Sequence, residues 1–252
     1  MRNKLLFRAL AGENKFEAIT NQAGTEATLY VYDEIVGDDW EAEWGGGVSS
    51  KKFIETLNGL SAPVIHLRIN SPGGDVFAAR TMETAIKNHA SKVIAYIDGL
   101  AASAASILAI AADEVVIAPG GFFMIHNASM LTWGNKEELA QKIDVLTKVD
   151  DSLADTYVAK TGQEKEKIAE MMNAETWIGS ADAVEQGFAD SVMEYAVKNS
   201  IKWDLSAFEN APDIGQVEPE PEPVIEPVVV DEQDAEIKAQ ERKRNFEFAL
   251  LC

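Results

Sequence analysis

Two stretches decide the fold: Val64-Ile65-His66-Leu67-Arg68-Ile69-Asn70-Ser71-Pro72-Gly73-Gly74-Asp75, and Val93-Ile94-Ala95-Tyr96-Ile97-Asp98-Gly99-Leu100-Ala101-Ala102-Ser103-Ala104-Ala105-Ser106. Each reads as an apolar strand, a tight loop and the start of a helix. Backbone N–H groups are left unpaired at such junctions, and developing negative charge is stabilised there. The second loop sets Ser103 among residues too small to shield it. Together they predict a nucleophile facing an oxyanion hole. Taken singly, each has a plainer reading: Ser-Pro-Gly-Gly is a common turn, and a run of small residues lets a buried helix pack closely.

Working outward, the pattern is regular. It predicts a strand over 64–70, a helix over about 76–90, a strand over 92–98, a helix over about 103–112, and strands over 114–118 and 122–126. Short apolar strands alternating with helices indicate an α/β domain with parallel strands, its ligand loops at the carboxyl ends. Ala27 to Ile35 is β-branched and aromatic and reads as a further strand. Trp40 to Gly47 reads as a loop, and Ser49 or Ser50 as the cap of a helix through Leu57. From Asn135 to Lys160 apolar residues recur at helical spacing (Leu139, Ile143, Leu146, Val149, Leu153, Tyr157), so one long helix packs on the domain or projects toward a neighbouring subunit. Short helices are expected over 164–172 and 181–186. Residues 1–25 are mixed and polar.

The flanks bound the function. A net charge of −20 argues against a nucleic-acid surface, which needs clustered Lys and Arg. The sole cysteine, Cys252, excludes a disulfide framework and fits a reducing compartment. The longest apolar run, Gly99 to Ala112, falls short of the roughly 20 residues a membrane span needs, so a soluble, cytoplasmic protein is expected. After Trp203 the composition changes. Residues 204–230 form an acidic Pro/Glu-rich linker, and 231–252 a charged, helix-prone tail. The domain proper is assigned to residues 26–203.

A serine hydroxyl is a poor nucleophile until a base takes its proton. The chain has three histidines. His66 lies within a strand and His89 near a helix end, and both read as structural. His126 closes the apolar run Phe122-Phe123-Met124-Ile125, a placement that suits a base. No Cys/His ligand cluster suggests a metal, and no cofactor is implied.

Ile-Asn-Ser-Pro-Gly-Gly at 69–74, Gly-Leu-Ala-Ala-Ser at 99–103 and Met-Ile-His-Asn at 124–127 resemble the signature segments of the Clp protease proteolytic subunit family. The likeness runs from about Tyr30 to Val192, in order and with similar spacing. It implies a Clp protease/crotonase-like α/β fold of repeated β-β-α units, with a long helix after the catalytic histidine and a disordered C-terminal tail. It also implies a homo-oligomer, with a ring the expected form, and an ATP-independent serine endopeptidase without cofactor. In that reading Ser103 is the nucleophile and His126 the base. The N–H groups of Gly73 and Ala104 hold the oxyanion, and Gly74 binds substrate. The family's aspartate is replaced: aligning Trp177-Ile178-Gly179 on its final segment puts Glu175 at the acid position, with Asn173 as a neutral alternative.

Within the family, Trp40 to Gly47, Asp98 to Ser106 and Ala174-Glu175-Thr176-Trp177 resemble phage head maturation (prohead) proteases. Those cleave scaffold and capsid proteins inside an assembling shell in the host cytoplasm, and the tail then reads as a removable segment. Two other readings use the same architecture. One is an acyl-CoA hydratase or isomerase, in which the paired N–H groups hold a thioester oxygen. The other is a catalytically silent scaffold-binding subunit.

Overall fold

Alternating burial along three neighbouring strands builds the centre of the protein. Ala27, Leu29 and Val31 of β2 (Glu26–Val31), Ile65, Leu67 and Ile69 of β5 (Val64–Ser71), and Val93, Ala95 and Ile97 of β6 (Lys92–Ala102) are all buried. This follows from the two-residue period of a strand. The computed structural model describes residues 16–194 apart from Gln22, so the 203/204 boundary, the Pro/Glu segment and the charged tail lie outside the described residues. β2, β5, β6, β7 (Glu114–Ile117) and β10 (Ser191–Val192) run parallel in that order, and β1 (Phe16–Thr20) adds an antiparallel edge to β2. The sheet thus begins before residue 26.

Its buried face is covered by α2 (Ser50–Asn58), α3 (Val76–Lys87) and α4 (Ala104–Ile110). Asp75 caps α3 by accepting the Ala78 N–H at 2.7 Å. On the other face the Arg68 guanidinium lies over the Tyr96 ring and pairs with Asp98, which also accepts the Tyr32 hydroxyl.

Past Ile97, β6 exchanges β7 for a new neighbour in the same sheet while keeping β5 on its other side. Its last residues, Leu100–Ala102, pair in parallel with β8 (Phe122–Ile125), and β8 pairs antiparallel with β9 (Thr176–Gly179). The expected loop from Gly99 therefore does not exist: the strand runs to Ala102. The ladder with β5 shifts register between Ile69 and Ser71, at Asn70. A Cβ at position 99 would lie 2.9 Å from Asn70 Oδ1, so a larger residue there would have to displace that side chain.

Two other expectations are corrected. The strand over 27–35 stops at Val31, because the Asp33 carboxylate accepts the N–H groups of Glu34 and Gly47 and bends the chain. Ile35–Val36 then forms β3, paired with β4 (Val48–Ser49). The Trp40–Gly47 loop is largely a helix, α1 (Asp39–Gly45), capped by Asp38 through the Glu41 N–H and ended at Gly46.

The long helix, α5 (Lys136–Thr161), opens with an Asn135–Glu138 capping box and ends at the left-handed Gly162. Leu153, Ala154 and Tyr157 are buried, whereas Leu139 and Ile143 are exposed. Its apolar stripe thus meets the core only over its later turns. Two short helices, α6 (Lys165–Asn173) and α7 (Ser180–Glu185), flank β9.

Candidate active site

Ser103 is the single residue between β6 and α4. It takes φ 52° and ψ −124°, a conformation that costs a side-chain-bearing residue about 1–3 kcal/mol and persists only where the surroundings impose it. They do so here. The Ser103 N–H donates to Met124 O at 2.8 Å, and every residue of α4 is buried. The Ser106 hydroxyl donates to Ser103 O at 2.6 Å and lies 2.7 Å from the Tyr157 hydroxyl. Since Ser106 has one proton to give, Tyr157 is the donor in that second bond. Burial pushes the Tyr157 phenol up to about 12, so it stays protonated.

His126 follows the last residue of β8 and sets Nε2 2.8 Å from Ser103 Oγ. For Nε2 to accept the hydroxyl proton, the neutral ring must carry its own proton on Nδ1. Burial holds the imidazole below the ordinary histidine value, and the carboxylates of Glu175 and Asp150 oppose that shift. The next two residues are tied to helices. Asn127 Nδ2 donates to Asn173 Oδ1 at 2.6 Å, and the Ala128 N–H donates to Asp150 Oδ1 at 2.7 Å.

Glu175 lies between α6 and β9 at φ 48°. The ladder pairs Ile125 with Thr176, so the next step along it sets His126 beside Glu175. Glu175 Oε1 accepts the Trp177 indole N–H at 3.3 Å. Asn173, the neutral alternative, has its side-chain oxygen engaged by Asn127. The carboxylate that the sequence did not disclose is Asp150.

Gly73 (φ 94°) presses against the serine turn: a Cβ there would lie 2.6 Å from Ala102 O, 2.8 Å from Ala104 N and 2.9 Å from Ser103 Cβ. Its own N–H is 3.2 Å from Ser71 Oγ, a long bond within the turn. Ala104 opens α4, where the first N–H groups have no acceptor inside the helix. Gly74 is exposed and bridges to Ile35 in parallel, with Ile35 N donating to Gly73 O and Asp75 N to Ile35 O. In that bridge the N–H and C=O of Gly74 itself face the other way, toward the edge that an extended peptide can join. A cavity of about 360 Å³ adjoins it, with an apolar wall that includes Phe77, Met130, Leu146 and Val149 and a rim carrying Glu34 and Glu41.

The remaining histidines lie elsewhere. His66 Nε2 is 3.7 Å from Glu26 and its ring stands against Tyr96, and His89 Nδ1 accepts the Ser91 N–H. Among the described residues, no cluster of three or more His, Cys, Asp or Glu is placed to hold a metal, and no helix is long and apolar enough to cross a membrane.

The fold that carries this serine and histidine is shared with known proteins. Residues 49–196 match the family model described as Clp protease. The ATP-dependent Clp protease proteolytic subunit 1 of Chlamydia muridarum is 32% identical over 184 residues, covering 71% of this chain and 93% of its own length. That of Chlamydia abortus is 29% identical over 186 residues, covering 72% and 94%. A solved structure of a ClpP1 mutant from Listeria monocytogenes superposes with a TM-score of 0.56 at 24% identity, over 67% of this chain and 91% of the other, a likeness of fold.

Proposed function

The chain belongs to the Clp protease family and is a serine-type endopeptidase, and from that premise we propose that Ser103, His126 and Glu175 form its catalytic triad. The observation that carries the reading is the 2.8 Å approach of His126 Nε2 to Ser103 Oγ. An extended peptide lies along Gly74. The Ser103 hydroxyl attacks the scissile carbonyl as its proton passes to His126 Nε2. The N–H groups of Gly73 and Ala104 take the oxyanion, a contribution for which loss of one donor typically costs about 10²–10³ in turnover. His126 then gives its proton to the leaving amine. Water, activated by the same ring, hydrolyses the acyl-enzyme. Glu175 orients the Nδ1–H and stabilises the imidazolium.

Ser103→Ala is expected to abolish peptide cleavage and labelling by a fluorophosphonate. Undiminished cleavage in that variant would remove the nucleophile assignment. The Ser103–His126 pair also argues against an acyl-CoA hydratase or isomerase, whose chemistry has no use for a nucleophilic serine.

The finer reading is that of a ring-forming homo-oligomer that processes scaffold and capsid proteins during phage head maturation in the host cytoplasm. The protease domain would run from β1 to residue 203, with the linker and tail beyond it. It is supported by the resemblance of residues 40–47, 98–106 and 174–177 to prohead proteases. The exposed apolar residues on the first turns of α5 support self-association. Incubation with recombinant phage scaffold protein and with casein tests it. Preferential cleavage of scaffold is expected, and cleavage of casein alone would overturn the role.

A further inference from the structure

We propose that Asp150, on the long helix α5, is a positioning residue for His126: it anchors the turn that follows the imidazole and shares with Glu175 the task of holding the charge this ring acquires. The inference rests on His126 acting as the base.

The geometry is specific. Asp150 Oδ1 accepts the N–H of Ala128, two residues beyond His126, at 2.7 Å. Asn127, between them, is held at 2.6 Å by Asn173 at the end of α6. The residues that leave the base are thus tied to two different helices. α5 is a firm support at this level, because Leu153, Ala154 and Tyr157 are buried in the core directly after Asp150. A backbone N–H needs only a neutral acceptor, so the hydrogen bond alone does not account for a carboxylate here. The second role does.

Two carboxylates act electrostatically on the imidazole, Glu175 from the segment before β9 and Asp150 from α5, and both favour its protonated form against the burial that disfavours it. Glu175 spends part of its accepting capacity on the Trp177 indole. Asp150 is influenced in turn: burial holds its carboxyl above the ordinary value, the Ala128 N–H and His126 favour the carboxylate, and neighbouring Asp151 opposes it. Lys165 of α6, which lines the same cavity as Asp150, is paired with Asp151 and Asp155 at 3.4 and 2.8 Å. It therefore leaves Asp150 to act toward His126. A cavity of about 160 Å³ borders Asp150, Asn127, Thr147 and Asn173, so an isosteric change there requires no repacking.

Asp150→Asn separates the two roles, since the amide oxygen still accepts from Ala128 while the charge is gone. The readout is inactivation by an aryl fluorophosphonate across pH. For Asp150→Asn the limiting inactivation rate is expected to fall by about three- to tenfold, typical of coupled neighbours in one network. The half-saturating concentration stays unchanged, and the acid limb moves to lower pH. Asp150→Glu, which keeps the charge, restores the limb. Asp150→Ser, which keeps an acceptor without charge, is read in the same way should Asp150→Asn not fold. Independently, the His126 ring is titrated by NMR, assigned through His66→Gln and His89→Gln. Its midpoint is expected to be lower in Asp150→Asn than in the wild type. Superimposable pH profiles and midpoints would overturn the proposal. If the fluorophosphonate labels neither protein, the serine-nucleophile reading fails, and the NMR midpoints still decide the role of Asp150.

Discussion

Gly73→Ala tests whether the two turns form one device. The added methyl would stand 2.6 Å from Ala102 O and 2.8 Å from Ala104 N, where ordinary contact begins at 3.4 Å. Both neighbours are backbone atoms of the elbow that carries Ser103, so they cannot swing aside as a flexible side chain would. The elbow must retreat by about 0.8 Å, or the 73–74 segment must lift by as much. Either way Ser103 Oγ and the Gly73 N–H separate. A misplacement of about 1 Å at a reacting centre costs on the order of 10²-fold in rate. Overpacking and an alanine held at φ 94° add about 2–4 kcal/mol of destabilisation. The control is Gly120→Ala, where φ is 76° but nothing lies within 4 Å of the new methyl. It carries the backbone strain alone, about 1 kcal/mol, and leaves activity intact. Fluorophosphonate inactivation rates and thermal midpoints of both variants make the comparison. If Gly73→Ala keeps its rate within threefold of the wild type while folded, the two turns are not acting on one another.

Two further outcomes follow from the site. Because burial depresses the His126 pKa and the base must be neutral, activity persists below the ordinary histidine value of about 6.5 and falls as pH drops through the folded value. Between those two values the unfolded chain binds more protons, so stability also declines as pH falls. A pH profile of inactivation whose acid limb lies at or above that of a free imidazole would contradict this. Tyr157→Phe strips the donor from Ser106 and leaves a buried hydroxyl oxygen one bond short. A loss of about 1 kcal/mol in stability is expected, with a fall of a few-fold in inactivation rate as Ser103 O loosens. Unchanged thermal midpoint and rate would show that the Tyr157 bond does not support the elbow.

How much of this is legible in the sequence depends on whether the deciding interaction is local. The strands at Val64 and Val93 are β-branched and alternate, so they declare themselves. The same holds for the long helix after Asn135 and the serine turn. By contrast, Gly99-Leu100-Ala101-Ala102 has weak strand propensity. It is extended because β5 and β8 pair with it from either side, and no local pattern announces that. α1 was hidden by its three-glycine ending, although Asp38 followed three residues later by Glu41 is a helix-start signal. Among the site residues, Ser103 and His126 stand out by chemistry and position at strand ends. Glu175 emerged only by aligning a resemblance, and Asp150 did not emerge, since a charge on a long helix gives no sign of facing a turn 22 residues earlier in the chain.

The one-residue junction at Ser103 has a consequence for how this chain tolerates change in length. Ahead of it the backbone is laced to partners on both edges, and behind it lies a helix without a solvent-facing side, so there is no slack in which an insertion or deletion could be absorbed. One added residue between Lys92 and Ala102 would turn the hydroxyl to the opposite face of the sheet. Attempts to retarget the enzyme by lengthening or shortening loops therefore belong in the exposed stretch from Ser129 to Gly134, which borders the groove and carries no part of the elbow.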